Sequence, residues 1–234
     1  MSLTSTLWYG TAWRAARALA ACTAVLWAAS VQAQPGNSNG NSNSLEALQQ
    51  LLKANSSGQS SFTQTVTGPS KADGTKARQT VSRGTFAFAR PGRFRFDYTT
   101  PFPQVLVADG TTLWMYDPDL AQATATDQAA ALGSTPAALI TSTADLADLR
   151  VHYVLESLPS DQGLQWVRAT PKQSDGALKW IELGFDAQHV AALVMLDQFG
   201  QTSDMRFSAL APLGDTAAKV FSFKPPAGAD VIRQ

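Results

Sequence analysis

GTFAFARPGRFRFDYTTPFPQVLVADGTTLWMYDP, running from Gly84 to Pro118, is the stretch that decides the fold. Phe86 and Phe88 share one strand face, Arg90-Pro91-Gly92 breaks the run, and Phe94, Phe96 and Tyr98 share the next face with Arg93, Arg95 and Asp97 opposite. Period-two alternation over that length predicts half-buried antiparallel strands. After Pro101 and Pro103 come Val105, Leu106 and Val107, then Asp109-Gly110, then Leu113, Trp114, Met115 and Tyr116, ended by Asp117-Pro118. Two short runs around Asp-Gly predict a hairpin.

Working outward, strands are expected at about Ser61 to Thr67, Val81 to Ala89, Arg93 to Thr99, Gln104 to Ala108 and Thr111 to Tyr116. Ser44 is placed to cap a helix carrying Leu45, Leu48, Leu51 and Leu52, a narrow apolar stripe that must pack on something. The Ala-rich sequence from Asp127 to Leu132 and the stretch opened by Thr135-Pro136, carrying Leu139 and Ile140, predict short helical pieces in mid-chain. Strands then resume at Val151 to Glu156, Leu164 to Thr170, Lys179 to Asp186, Val190 to Asp197, Thr202 to Ser208 and Val220 to Phe223. The fold class is α+β, built on one antiparallel sheet of about ten or eleven strands. A sheet of that length must curl or close. Its few helical pieces cannot cover it as a layer, so they are expected to plug its concave side.

The front of the chain reads as a targeting segment. Arg14 and Arg17 precede an apolar run from Ala18 to Ala29 that ends at Val31-Gln32-Ala33, so residues 1–33 are expected to be a cleaved secretory signal. The run is well short of the ~20 residues that span a bilayer as a helix. Leu19-Ala20-Ala21-Cys22 has the letters of a lipoprotein cleavage box, but the apolar segment lies after it instead of before it. Residues 34–44 are dense in Asn, Ser, Gly and Pro and are expected to form a flexible linker, with the folded domain at 45–234.

Cleavage discards the only cysteine, so no disulfide or thiolate ligand is expected. Removing Arg14 and Arg17 from 18 basic residues leaves 16 against 18 acidic ones, a formal charge of −2. That balance argues against nucleic acid or an anionic membrane surface as a main partner. Gly36-Asn37-Ser38-Asn39-Gly40 matches a hydrolase signature but lacks the strand-to-helix context the motif needs. His152 and His189 are the only histidines and lie far apart, without acidic residues at ligand spacing, so neither a metal nor a catalytic base is expected. No enzyme and no cofactor are expected. On their own, Phe86, Phe88, Phe94, Phe96, Trp114 and Tyr116 would ordinarily be core.

The order of motifs resembles the periplasmic outer-membrane lipoprotein carrier family, LolA, from Leu45 to about Val231. The segments that carry the resemblance are Phe62-Thr63-Gln64, Gly84 to Phe88, Arg90-Pro91 with Phe94, Leu106 to Gly110, Thr112 to Pro118, Gln122-Ala123-Thr124, Thr135-Pro136 and Phe221 to Pro226. The resemblance implies an unclosed, strongly curved antiparallel barrel whose apolar hollow, under a lid of short helices, receives lipoprotein acyl chains. It implies that Arg90 latches the lid to the barrel rim and that Phe94 lies at the cavity entrance. Phe86, Phe88, Phe96, Trp114, Tyr116, Leu139 and Ile140 are then expected to line the hollow. Arg90, set between two aromatic strands, is expected to hydrogen-bond carbonyl groups at the ends of the Asp127 to Leu132 and Thr135 to Ser142 helices.

The resemblance further implies a soluble, monomeric periplasmic chaperone. It would take acylated lipoproteins from an inner-membrane ATP-binding cassette release complex and deliver them to an acylated outer-membrane acceptor. Gln34, where that acceptor would have cysteine, favours the soluble carrier. A periplasmic lipid or lipoprotein sensor with a similar half-barrel is the second reading; such sensors usually carry an added domain or membrane segment, and none is visible after Phe223.

Overall fold

The computed structural model describes residues 40–69, 76–132, 139, 141, 145–173, 177–214 and 217–234. The proposed signal segment, most of the proposed linker and Ile140 lie outside them.

The aromatic stretch forms the strands its alternation predicts. β1 (Ser57–Thr67), β2 (Gln79–Ala89), β3 (Arg93–Thr100), β4 (Gln104–Ala108), β5 (Thr112–Asp117) and β6 (Gln122–Asp127) make one antiparallel meander. A second meander holds β7 (Tyr153–Asp161), β8 (Leu164–Pro171), β9 (Leu178–Phe185), β10 (Val190–Asp197) and β11 (Thr202–Phe207). Pairing of β1 with β11 joins the two, and β12 (Asp230–Arg233) adds to β6 in parallel. Among the described residues the sheet has 12 strands, in the order β12-β6-β5-β4-β3-β2-β1-β11-β10-β9-β8-β7. β7 and β12 remain as edges, so the barrel is not closed.

Two glycines make the aromatic half possible. Ala89 pairs with Arg93 across the three-residue loop Arg90-Pro91-Gly92, and Gly92 takes φ +70, the left-handed position such a loop requires. At Gly84 a Cβ would lie 2.0 Å from the Asp97 carbonyl oxygen and 2.9 Å from the Phe62 ring, so only glycine lets β1, β2 and β3 pack there.

The two longest helices among the described residues lie on the concave face. α1 (Gly40–Ala54) buries Leu48, Leu51 and Leu52, and α3 (Leu146–His152) buries Leu146 and Leu149; all pack with Phe62, Phe86, Phe88, Phe94, Phe96, Val167, Ile181, Leu183 and Leu193 in one core. Asp145 caps α3 through the Ala147 N–H, and Gln49 of α1 accepts from the Leu146 N–H at 2.8 Å. α2 (Gln128–Leu132) follows directly on β6. A smaller cluster sits on the convex face, where Phe221, just after α4 (Ala217–Val220), packs with Ala87, Ala89 and Leu213.

Several expectations are corrected. α1 begins at Gly40, so residues 40–44 are helical instead of linker, and Ser44 lies inside the helix, 2% exposed, not at its cap. The weak helix preference of Gly, Asn and Ser is overridden once the leucine face is anchored. Val220 to Phe223 is not a strand. Its alternation is real, but Phe221 and Phe223 use it to span the convex face, where no strand edge is available to pair with. Residues up to His152 belong to α3, and β7 starts at Tyr153. β6 and β12 were not foreseen: Gln122 to Asp127 alternates Ala with Thr and offers little apolar contrast.

Candidate functional site

Strand register decides which residues face the hollow. In the antiparallel ladder, directly paired residues share a face. Phe88, Phe94, Ala108 and Leu113 form one such row, and Phe86, Phe96, Leu106 and Met115 the next; both rows are concave. Arg95, Val107, Trp114 and Ala125 form the alternate, convex row. Trp114 and Tyr116 therefore turn away from the hollow and pack on Phe223, ring centroids 5.6 and 5.8 Å away. Ala108 pairs with Leu113 across the Asp109-Gly110 turn, and this puts the odd-numbered residues of β5 inward. On the inward side of β5, Leu113 packs against the core, while Met115 is exposed.

Between α1 and the sheet lies a small cavity, about 30 Å³ in volume. Leu51 and Leu52 of α1 form one wall, with Phe86, Phe88, Phe207, Val190 and Leu210 opposite. Phe94 and Phe96 continue the same aromatic face in solid packing, edge to face with ring centroids 5.9 Å apart. Phe94 is fully buried, so in this state it is sealed beneath the cover and not open at an entrance. Leu139 is buried in the same core. Leu51, Leu52 and Phe207 were not singled out for the hollow; the helix stripe shows the leucines as apolar but not which cavity they wall.

Arg90 stands at the polar end of this cavity, beside Asn55, His189, Ser60 and Ser208. Its guanidinium lies 4.8 Å from the centroid of the Phe88 ring, and its Nη1 donates to the Asn55 carbonyl just past the end of α1. Its backbone N–H donates to Ser56 O at 2.8 Å. Burial pulls the Arg90 pKa from 12.5 down to about 10, which leaves the side chain charged at neutral pH. His189 also borders the cavity, but its ring nitrogen and backbone N–H both engage Asp186 within a tight turn, a structural task. Among the described residues no group of three or more His, Cys, Asp or Glu is placed to hold a metal.

The lid is tied down by groups beside Arg90. The Gly92 N–H donates to Thr141 O at 2.7 Å, joining the β2–β3 turn to Thr141. Gln128, the first residue of α2, is buried; its Nε2 donates to Gly92 O at 2.9 Å and its Oε1 accepts from the Gly110 N–H at 2.8 Å. Asp127 caps α2 by accepting from the Ala130 N–H. Sequence reasoning missed Gln128, whose only signal is one amide in an Ala-rich run. The expected contacts of Arg90 with the segment around Thr135 to Ser142 fall outside the described residues, apart from Leu139 and Thr141.

The arrangement is an apolar chamber with a polar rim and a cover held by a few directed bonds, suited to holding a greasy ligand reversibly. Comparison with known proteins agrees with it. Residues 54–224 match the family model "Outer membrane lipoprotein carrier protein LolA". The chain is similar to an outer-membrane lipoprotein carrier protein of Albidiferax ferrireducens, 49% identical over 194 residues that cover 81% of this chain and 91% of that one. Its similarity to the protein of the same description from Methylibium petroleiphilum is 42% over 190 residues, 81% and 89% of the two chains. With that of Neisseria gonorrhoeae it is 35% identical over 214 residues, 92% and 94% of the two chains. The chain belongs to the outer membrane lipoprotein carrier family, LolA.

Proposed function

We propose that this chain is a soluble periplasmic carrier, without catalytic activity of its own. It accepts acylated lipoproteins released from the inner membrane, shelters their acyl chains in the chamber under the lid and passes them to an outer-membrane acceptor. Residues 1–33 act as the cleaved export signal, and the mature carrier works as a monomer. The observation that carries the reading is the apolar chamber between Leu51, Leu52 and the Phe86–Phe88 face, near a lid hydrogen-bonded to the β2–β3 turn through Gln128. Among the described residues no helix is long and apolar enough to cross a membrane.

The energetics require a cover that opens. Each buried methylene is worth about 0.8 kcal/mol, so three acyl chains with ~45 methylenes represent some tens of kcal/mol if taken from water. Binding by the whole sum would exceed the practical ceiling of about 20 kcal/mol and prevent release. Opening the lid and parting α1 from the aromatic face must offset part of that gain. Release needs an ATP-binding cassette complex to extract cargo from the membrane, whereas hand-over needs only an acceptor with a tighter cavity.

The test is a release assay with inner-membrane vesicles or spheroplasts and the purified mature protein. A one-to-one soluble complex with acylated lipoprotein, passed on to outer membranes, is expected. Binding of lipid or lipoprotein without release from the membrane would replace the carrier reading with that of a sensor.

A further inference from the structure

We infer that Gln128 seats the lid, as a two-ended peg that fixes the first turn of α2 to both the β2–β3 and the β4–β5 turns. The inference rests on the lid acting as the movable cover proposed above and assigns the residue that positions it. A primary amide both donates and accepts at a single planar end and keeps both functions, uncharged, across the pH range. Gln128 uses both functions, giving a hydrogen to Gly92 O and taking one from the Gly110 N–H, while its own backbone N–H donates to Thr111 O at 2.9 Å. Its residue is 5% exposed, so losing either partner would strand a polar group away from water. No hydrophobic residue could substitute for this seat. Packing tolerates a slide, whereas two opposed hydrogen bonds are satisfied only when Gly92 and Gly110 stand one amide apart.

Gly92 also holds Thr141, through its N–H to Thr141 O. The peg therefore fixes the turn to which Thr141 is bonded, and Gln128 and Thr141 both depend on one position of Gly92. Closure then reads the spacing of two turns at the rim: strands β2 and β3 displaced by an occupant of the chamber would carry Gly92 away from Gly110 and release the peg.

The discriminating readout is amide hydrogen exchange at Gly92. Its N–H bonds Thr141 and does not touch Gln128, so a merely local role for Gln128 leaves it unchanged. In the full mature protein, Gln128→Met keeps the length and loses the amide; Gly92 exchange is expected to quicken at least tenfold while strands β8 to β10 keep their protection. Gln128→Glu adds a pH-dependent form of the same test. A protonated carboxyl both donates and accepts, and a carboxylate only accepts. The charged groups on the elements around it are Asp127 beside it, Asp109 on the β4–β5 turn, and Arg90 and Arg93 flanking the β2–β3 turn. After correction for intrinsic exchange, Gly92 in this variant is expected to be unprotected at pH 8 and to regain protection as the carboxyl protonates. Protection equal to wild type in both variants at every pH would overturn the inference. The exchange needs no cargo, so failure of wild-type protein to release lipoproteins would remove the carrier reading alone and leave Gln128 to be judged by its own result.

Discussion

The two halves of the sheet bury their concave faces in different material under different covers. β1 to β6 present Phe62, Phe86, Phe88, Phe94 and Phe96, and β7 to β11 present Val167, Ala169, Ile181, Leu183, Leu193 and Met205. α1, with 15 residues, packs on β7 and β8 through leucines, whereas α2, with 5, sits at β5 and β6 and is held by the Gln128 amide. Three buried leucines contribute roughly 1.5–3 kcal/mol each, against about 0.5–1.5 kcal/mol net for each hydrogen bond. α1 is therefore the more strongly held of the two covers, although its Leu51 and Leu52 also wall the cavity beside Phe86 and Phe88.

The largest effect expected on that contrast comes from Leu48, which is 1% exposed and not part of the chamber wall. Leu48→Ala should cost about 2–5 kcal/mol in urea unfolding while folded protein still takes up cargo. A cost below about 1 kcal/mol would mean that α1 is as detachable as α2, and the contrast would fail. Gly84→Ala comes next. Its Cβ meets the Asp97 carbonyl and the Phe62 ring from two sides, so β1 and β3 must move apart, and about 1–3 kcal/mol of stability should be lost in the same measurement.

These two residues also mark how far the sequence could be read. The helix stripe containing Leu48 and the aromatic alternation around Gly84 are local patterns, and both were legible, as were the curled sheet and its helical plug. The lipoprotein-carrier role was legible through the family resemblance. Which way Trp114 and Tyr116 point was not, because the phase of β5 is set by the Ala108–Leu113 pair across a turn, and period two is the same for either face. The Gln128 peg was invisible for a related reason: its partners are backbone groups, which every sequence supplies and none advertises. Phe221 and Phe223 misled because an extended strap over the convex face alternates just as a strand does.

Arg90→Leu should separate the two halves by kind of effect. Removing the guanidinium loses the bond to Asn55 O and the contact with Phe88, but it also relieves the burial that depresses the Arg90 pKa. The two changes oppose each other, so the midpoint in urea should move by no more than about 1 kcal/mol equivalent. Hand-over of lipoprotein to the acceptor should nevertheless be impaired, with cargo retained. Normal transfer by this variant would dismiss Arg90 as a latch and shift that role to the bonds made by Gly92 and Gln128.

The smallest effect is in acid, and it asks whether the rim of the aromatic half is the better ordered of the two. Burial works to raise the pKa of Asp109, but hydrogen bonds from the Thr112 and Thr111 N–H groups, the Thr111 hydroxyl and Trp114 Nε1 outweigh it and hold the carboxyl below its ordinary 3.8. At Asp186, in the aliphatic half, burial is likewise outweighed, here by His189 and Gln188, but its side chain is 38% exposed and solvent weakens the effect. A carboxylate favoured by the fold adds stability that is complete above its unfolded pKa and is withdrawn as pH falls through its lower folded value. Following the Trp114 indole resonance downward from about pH 5 should show the β4–β5 turn holding until below 3.8 and then loosening. Asp109→Asn retains the oxygen that accepts from Thr111 and Thr112 but sets an amide NH2 against the Trp114 indole N–H, so that one bond is lost at every pH and the loosening should lose its pH dependence. If Asp186→Asn removed more of the acid sensitivity than Asp109→Asn, the aliphatic rim would be the one stabilised by charge, and the lid would rest on the looser of the two ends.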